Sequence, residues 1–226
     1  MRQLLLNILP APLATLGNFV PGSNSETFAA WQHWLNDTNN DFRTGSGFYL
    51  FGESGSGKTH LLHASGFPYV DAADNSALTE LTSICTGTTL AVDNVQSLNP
   101  DGQQQLFNLF NQIHADGGRL LMAGEVSPKN LSLREDLRTR LGYGLVYGLL
   151  PLDDSDKIAA LTRLAQDRQL RIRSDLIPYL IRHTPRDMGS LTTLLQALDN
   201  YGLEHQRAIT LPLLRDLLQT SLELET

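Results

Sequence analysis

The sequence predicts a doubly wound parallel α/β sheet with helices on both faces, followed by an all-helical subdomain. Three observations carry that prediction. Short apolar runs alternate with helix-like stretches from Gly47 to Leu149, the pattern of strands joined by crossover helices. A Gly/Ser-rich loop, Gly52-Glu53-Ser54-Gly55-Ser56-Gly57-Lys58-Thr59, lies between the first of these runs and the first of these helices. Beyond Leu150-Pro151-Leu152-Asp153-Asp154 the strand-like runs stop, and apolar residues recur at helical spacing.

Taken in order, residues 1–10 read as an N-terminal peptide, 11–150 as the α/β subdomain and 151–226 as the helical one. A Pro/Gly/Asn-rich segment from Pro12 to Asn24 leads into Ser25-Glu26-Thr27-Phe28-Ala29-Ala30-Trp31, whose apolar spacing fits a helix, and residues 36–46 read as polar loop. The strand Phe48-Tyr49-Leu50-Phe51 enters the glycine loop, and a helix follows over 58–65. Next come a short strand at Tyr69-Val70-Asp71, a helix near 75–84 and a strand over Thr88–Asp93. A helix over 101–115, a strand over Arg119–Ala123, a helix over 130–138 and a strand over Leu145–Leu149 complete the alternation. In the last subdomain four amphipathic helices can be drawn. Ile158, Leu161, Leu164 and Ala165 share one face of the first, and Thr210 with Leu211-Pro212 reads as a cap with proline in the first turn. Asp153, Asp154 and Asp156 cluster where a helix N-terminus favours negative charge.

Composition narrows the function classes. With 226 residues and 41% apolar content the chain can bury a substantial core without disulfides. The single cysteine, Cys85, has no His or Cys partner at ligand spacing, so it reads as a core thiol in a reducing compartment. Net charge is −7, and no Lys/Arg cluster tracks a nucleic-acid backbone, so strong direct DNA binding is not expected. Asn7, Pro10 and Pro12 interrupt the N-terminal apolar stretch before it reaches signal-peptide length, and no run approaches a membrane span. A cytoplasmic protein is the expectation.

The loop at 52–59 carries the clearest chemistry. Glycines let the backbone curl so that successive N–H groups face anionic oxygens, and the following helix adds the positive end of its dipole. Gly52 to Thr59 are therefore the expected phosphate cradle, with Lys58 reaching the outer phosphates and Thr59 ligating Mg²⁺. Thr88-Thr89-Leu90-Ala91-Val92-Asp93 is a buried-strand run ending in an acid, so Asp93 is the expected partner of the Mg²⁺ water shell. The next residue is Asn94, which can orient water but cannot take its proton, so hydrolysis of the chain's own nucleotide should be slow. His60 and His63 are three apart on the helix after the loop, yet no third metal ligand is near in sequence.

Gly-Lys-Thr-His-Leu-Leu-His-Ala (57–64) resembles the P-loop helix of the bacterial replication initiator family DnaA. Asn18-Phe19-Val20 with Gly22 and Asn24 is similar to that family's nucleotide-base region, and Leu137-Arg138-Thr139-Arg140-Leu141-Gly142-Tyr143-Gly144 to its arginine-finger segment. Arg186-Asp187-Met188 resembles the start of its sensor-2 helix. The resemblance covers residues 12 to about 220 and implies an AAA+ core with a helical lid, lacking the initiator's DNA-binding helix-turn-helix domain. Asn94 and the peptide Gln3-Leu4-Leu5-Leu6-Asn7-Ile8 further resemble the Hda family, DnaA-related proteins that inactivate the initiator at a DNA-loaded sliding clamp.

That resemblance implies a set of roles. Phe19, Val20, His60 and Arg186 join the cradle as nucleotide-binding residues, and ADP or ATP with Mg²⁺ is the implied cofactor. Gln3, Leu4, Leu6 and Ile8 would dock in an apolar groove of the clamp. Arg140 would serve as an arginine finger on ATP held by DnaA, with Arg134 and Arg138 close enough in sequence to compete for the assignment. Glu125 matches the acidic sensor-1 position loosely, and Gly189 stands where related lids often carry arginine. A homo-oligomer is compatible with an exposed finger. The alternatives are an autonomous ATPase that loads or remodels replication proteins, and a non-catalytic recruitment adaptor.

Overall fold

The computed structural model describes residues 14–37, 47–74, 89–170, 172–173, 175–184, 187–205, 210–212 and 214. The chain divides into two compact units, Ala14–Pro151 and the residues from Leu152 onward. In the first, α1 (Ser25–Asn36) precedes β1 (Gly47–Phe51), α2 (Lys58–Ala64), β2 (Tyr69–Asp71) and β3 (Thr89–Asp93). Then follow α3 (Pro100–Ala115), β4 (Arg119–Gly124), α4 (Glu135–Leu141) and β5 (Leu145–Gly148). The five strands pair in parallel in the order β2-β3-β4-β1-β5. This is the doubly wound sheet that the alternation predicts. The expected helix near 75–84 and the N-terminal peptide 1–10 lie outside the described residues.

Alternate side chains of each central strand go to opposite faces, as strand periodicity requires. Tyr49, Leu90, Val92, Leu120 and Met122 pack with Leu106, Phe110 and Ile113 of α3 and with Leu137 and Leu141 of α4. Phe48, Leu50, Ala91, Leu121 and Ala123 pack with Trp31 and Trp34 of α1 and with Leu61 and Leu62 of α2. Both faces are covered, which is why the strands read as continuous apolar runs. Helix α3 starts where Asn99 accepts a hydrogen bond from Gly102 N at 2.7 Å, with Pro100 in its first turn.

One helix begins later than its periodicity predicts. Pro128–Asn130 form a 3₁₀ turn and α4 starts only at Glu135, where the sequence suggested 130–138. The cause is Gln103 on α3, whose Nε2 donates to Leu98 O at 3.0 Å while its Oε1 accepts from Arg134 N at 3.0 Å. A buried amide thus holds Arg134 extended.

The N-terminal segment is clasped to the far end of the sheet by one side chain. Asn24 Nδ2 donates to Leu150 O at 2.8 Å, and Leu150 N donates to Asn24 Oδ1 at 2.7 Å. Thr27 Oγ1 adds a bond to Gly148 O at 3.0 Å. Because Asn24 is only 5% exposed, Asn24→Ala strands two backbone groups and is expected to destabilise this unit by about 1–3 kcal/mol, measured by chemical denaturation.

The second unit has its own core. Helices α5 (Asp154–Asp167), α6 (Leu176–His183) and α7 (Met188–His205) bring Leu161, Leu176, Leu180, Leu191, Leu195 and Leu198 together, with Leu214 beside them. Asp153 caps α5 by accepting from Asp156 N at 2.7 Å, and that bond pulls its carboxyl below the usual range. Asp154 and Asp156 occupy the first turn, where the helix dipole favours them. Among the described residues no helix is long and apolar enough to cross a membrane.

Candidate nucleotide site

The glycine loop leaves the sheet where three strands end. Gly52 N donates to Gly124 O at the end of β4, and Leu149 N donates to Phe51 O after β5. A Cβ on Gly52 would lie 2.2 Å from Leu149 O, so only glycine allows the backbone this close. Gly57, with φ +99°, turns the loop into α2 through the left-handed region. Lys58, 8% exposed, folds across the loop and donates to Gly52 O at 2.7 Å and Glu53 O at 2.9 Å. Burial pushes its pKa down, and the carboxylates of Asp93 and Glu125 push it back up. Ser56 Oγ is buried within the loop and has no hydrogen-bond partner among the described residues.

Asp93 ends β3 almost fully buried, at 1% exposure. Its Oδ2 accepts from Thr59 Oγ1 at 2.6 Å and from the Tyr69 hydroxyl at 3.3 Å, while its Oδ1 accepts from Asn94 N at 2.8 Å. Asn94 sits in the left-handed region with φ 51°. Its Nδ2 donates to Asp71 Oδ1 at 2.9 Å, and its Oδ1 accepts from Gln96 Nε2 at 3.4 Å. The position after Asp93 therefore carries an amide whose polar atoms are already engaged. Burial first, then Asp93 and Asp71, push the Tyr69 phenol pKa well up.

These features fit a polyphosphate and a hard cation. An unpartnered buried hydroxyl, a buried ammonium resting on carbonyls, and glycines in left-handed turns offer donors to anionic oxygens. Thr59 and Asp93 offer the oxygen donors that Mg²⁺ prefers. No group of three or more His, Cys, Asp or Glu that could hold a metal occurs among the described residues. A cation completed by phosphate oxygens is consistent with that donor set.

The N-terminal segment meets α2 beside the loop. The ring of Phe19 lies 4.9 Å from Phe28 and 5.5 Å from His60, centroid to centroid, and His60 Nε2 donates to Thr15 O at 2.9 Å. Phe19 and Val20 are both half-buried. Burial, helped by neighbouring His63, lowers the His60 pKa from its ordinary 6.5 against the pull of the Thr15 carbonyl. The fold thus prefers the neutral ring. Its contribution to stability is present above 6.5 and lost as pH falls toward the lower folded value. Thermal unfolding of the full chain is expected to come earlier as pH drops through this window, and His60→Gln should flatten that dependence.

Arg140 and Arg138 leave α4 in different surroundings. The Arg140 guanidinium lies 5.9 Å from the ring of Phe107 and forms no salt bridge among the described residues. Asp136 is taken instead by Arg134, at 2.6 Å. Arg138 lines a shallow pocket of about 350 Å³ with Pro128, Lys129, Glu135, Thr139 and Gly142. Glu125, just past β4, is exposed and close enough to act on the charge of Lys58. Arg186 and the clamp-type residues Gln3, Leu4, Leu6 and Ile8 lie outside the described residues.

Sequence reading missed Tyr69 and saw no role for Asp71. Both reach the site because β2 pairs with β3 in register, Tyr69 opposite Ala91 and Asp71 opposite Asp93. Polar residues flanking a short strand were the one available signal.

Two family models match the chain: the DnaA ATPase domain of bacteria over residues 69–148, and the lid domain of Hda over residues 154–218. Among solved structures, domain III of DnaA from Thermotoga maritima aligns with a TM-score of 0.71 at 21% identity, covering 94% of this chain and 98% of that one. DnaA from Aquifex aeolicus bound to AMPPCP gives 0.66 at 22% identity over 88% of this chain and 68% of that one. RuvB from Thermotoga maritima gives 0.64 at 16% identity over 93% of this chain and 72% of that one. At these identities the structural matches speak for the fold alone.

Proposed function

The chain is a DnaA-related AAA+ protein whose lid matches that of the Hda family, and on that premise we propose that it is a negative regulator of replication initiation. It binds ADP or ATP with Mg²⁺, docks on the DNA-loaded sliding clamp through Gln3, Leu4, Leu6 and Ile8, and stimulates hydrolysis of ATP held by DnaA. It acts in the cytoplasm, and its working segments are the peptide 1–10, the α/β subdomain 11–150 and the lid 151–226.

The observation that carries the reading is the state of Arg140. Its two nearest acids in sequence do not hold it, because Asp136 pairs with Arg134 and no salt bridge reaches Glu135 among the described residues. A guanidinium 5.9 Å from the ring of Phe107, without an ion-pair partner among the described residues, keeps its charge available to a phosphoryl group on a neighbouring molecule. As that group's transition state gathers negative charge, the guanidinium neutralises it.

The chain's own site plays a different part. Loop N–H groups from Gly52 to Thr59 and the Lys58 ammonium hold phosphates, Phe19, Val20 and His60 flank the base side, and Arg186 is the lid residue that the family resemblance assigns to the nucleotide. Thr59 and Asp93 would hold the cation, directly or through water. When bound, Mg²⁺ neutralises phosphate charge. Asn94 keeps its amide on Asp71 and offers no base, so turnover here stays low and the nucleotide serves as a structural ligand.

The test is phosphate release from ATP-loaded DnaA, with and without clamp loaded on DNA. Stimulation by this protein that requires the clamp supports the reading. No stimulation, together with brisk turnover by the protein alone, would replace it with an autonomous ATPase.

A further inference from the structure

The hydrogen bond from the Tyr69 hydroxyl to Asp93 at 3.3 Å has no part in the phosphate, base or cation roles assigned above. Tyr69 comes from the edge strand β2, its ring against that of His63 with centroids 4.0 Å apart and planes tilted by 31°. The bond completes a set of three donors on one buried carboxylate: Thr59 Oγ1 and Tyr69 OH on Oδ2, and Asn94 N on Oδ1. No salt bridge reaches Asp93 among the described residues, and the Lys58 ammonium, bonded to Gly52 O and Glu53 O, acts on it through space without a hydrogen bond. A buried carboxylate is tolerable only when its charge is met by donors or by a cation. Here donors from the chain meet it.

We propose that Tyr69 is a positioning residue that lowers the dependence of nucleotide binding on Mg²⁺, by giving Asp93 a donor whose part the cation would otherwise fill. The inference rests on the nucleotide-binding reading of the loop at 52–59. Its logic is linkage. A cation gains more from a carboxylate that lacks donors than from one already satisfied, so whatever satisfies Asp93 lowers the difference in nucleotide affinity with and without the metal. The consequence fits a site that retains a ligand instead of turning it over, because the same geometry persists whichever metal state the nucleotide arrives in.

The experiment measures ADP affinity of the full chain by calorimetry, in excess Mg²⁺ and in EDTA, for the wild type and for Tyr69→Phe. Phenylalanine keeps the ring against His63 and removes only the hydroxyl. The ratio of the dissociation constant in EDTA to that in Mg²⁺ is expected to rise severalfold in Tyr69→Phe, the scale of a long hydrogen bond to a carboxylate. Circular dichroism of both proteins confirms that each is folded. An unchanged ratio overturns the proposal, since a merely structural Tyr69 would weaken binding equally in both conditions. A ratio that falls also overturns it, and assigns the hydroxyl to the metal's own water shell. Absence of ADP binding by the wild type in either condition fails the underlying nucleotide reading instead.

Discussion

Arg140→Ala is expected to reduce stimulated hydrolysis of DnaA-bound ATP by about 10³-fold or more while leaving the variant's own ADP affinity unchanged. The size follows from what a guanidinium does. Charge spreads over the equatorial oxygens of the transferred phosphoryl group, and a bidentate cation in a water-poor interface stabilises that charge far more than it stabilises the ground state. The fold should be indifferent, since Arg140 forms no salt bridge among the described residues and its ring contact with Phe107 is at long range. Phosphate release under saturating clamp-loaded DNA gives the first number, and ADP titration gives the second. Arg138→Ala makes the useful comparison because Arg138, on the same helix, lines the pocket with Glu135 and with Lys129 of the preceding 3₁₀ turn. Should Arg138→Ala abolish stimulation and Arg140→Ala leave it intact, the finger is Arg138.

Gly52→Ala is expected to abolish ADP binding at concentrations that saturate the wild type and to destabilise the α/β unit by about 1–3 kcal/mol. The added methyl would stand 2.2 Å from Leu149 O and 3.0 Å from Ser56 Oγ. Backbone on both sides must move, because Gly52 N is bonded to Gly124 O and Leu149 N to Phe51 O. The hydroxyl of Ser56 and the carbonyls under Lys58 move with it, so the cradle loses the spacing that receives phosphates. Calorimetry reads the binding, and denaturant unfolding of the same variant reads the stability. A variant that binds ADP normally would show that the loop tolerates displacement, and the cradle reading would have to be abandoned.

Legibility in the sequence followed contiguity. Gly52 to Thr59 form an unbroken run between a strand and a helix, so both the motif and its context could be read together. Asp93 could be found because an apolar run ending in an acid marks the mouth of a parallel sheet. Tyr69 and Asp71 could not, since their nearness to Asp93 and Asn94 depends on which strands pair and in what register. The late start of α4 was hidden for a similar reason. Its periodicity allows a helix from 130, and the buried amide of Gln103, reaching over from α3, instead binds Arg134 N directly before the helix begins. The clasp of Asn24 on Leu150 joins residues 126 apart, and no local pattern announces it.

The strand order carries a consequence for how the chain is made. β1 leaves the ribosome early, yet its two neighbours in the sheet are β4 and β5, the last strands of the described α/β unit to be synthesised. The nascent glycine loop therefore has neither Gly124 nor Leu149 to rest on until that unit is nearly complete. Ligand capture during translation is thus confined to its final stage, and a polypeptide truncated before β5 should emerge with β1 paired to β4 on one side only, its other edge apolar, open and prone to associate with other chains.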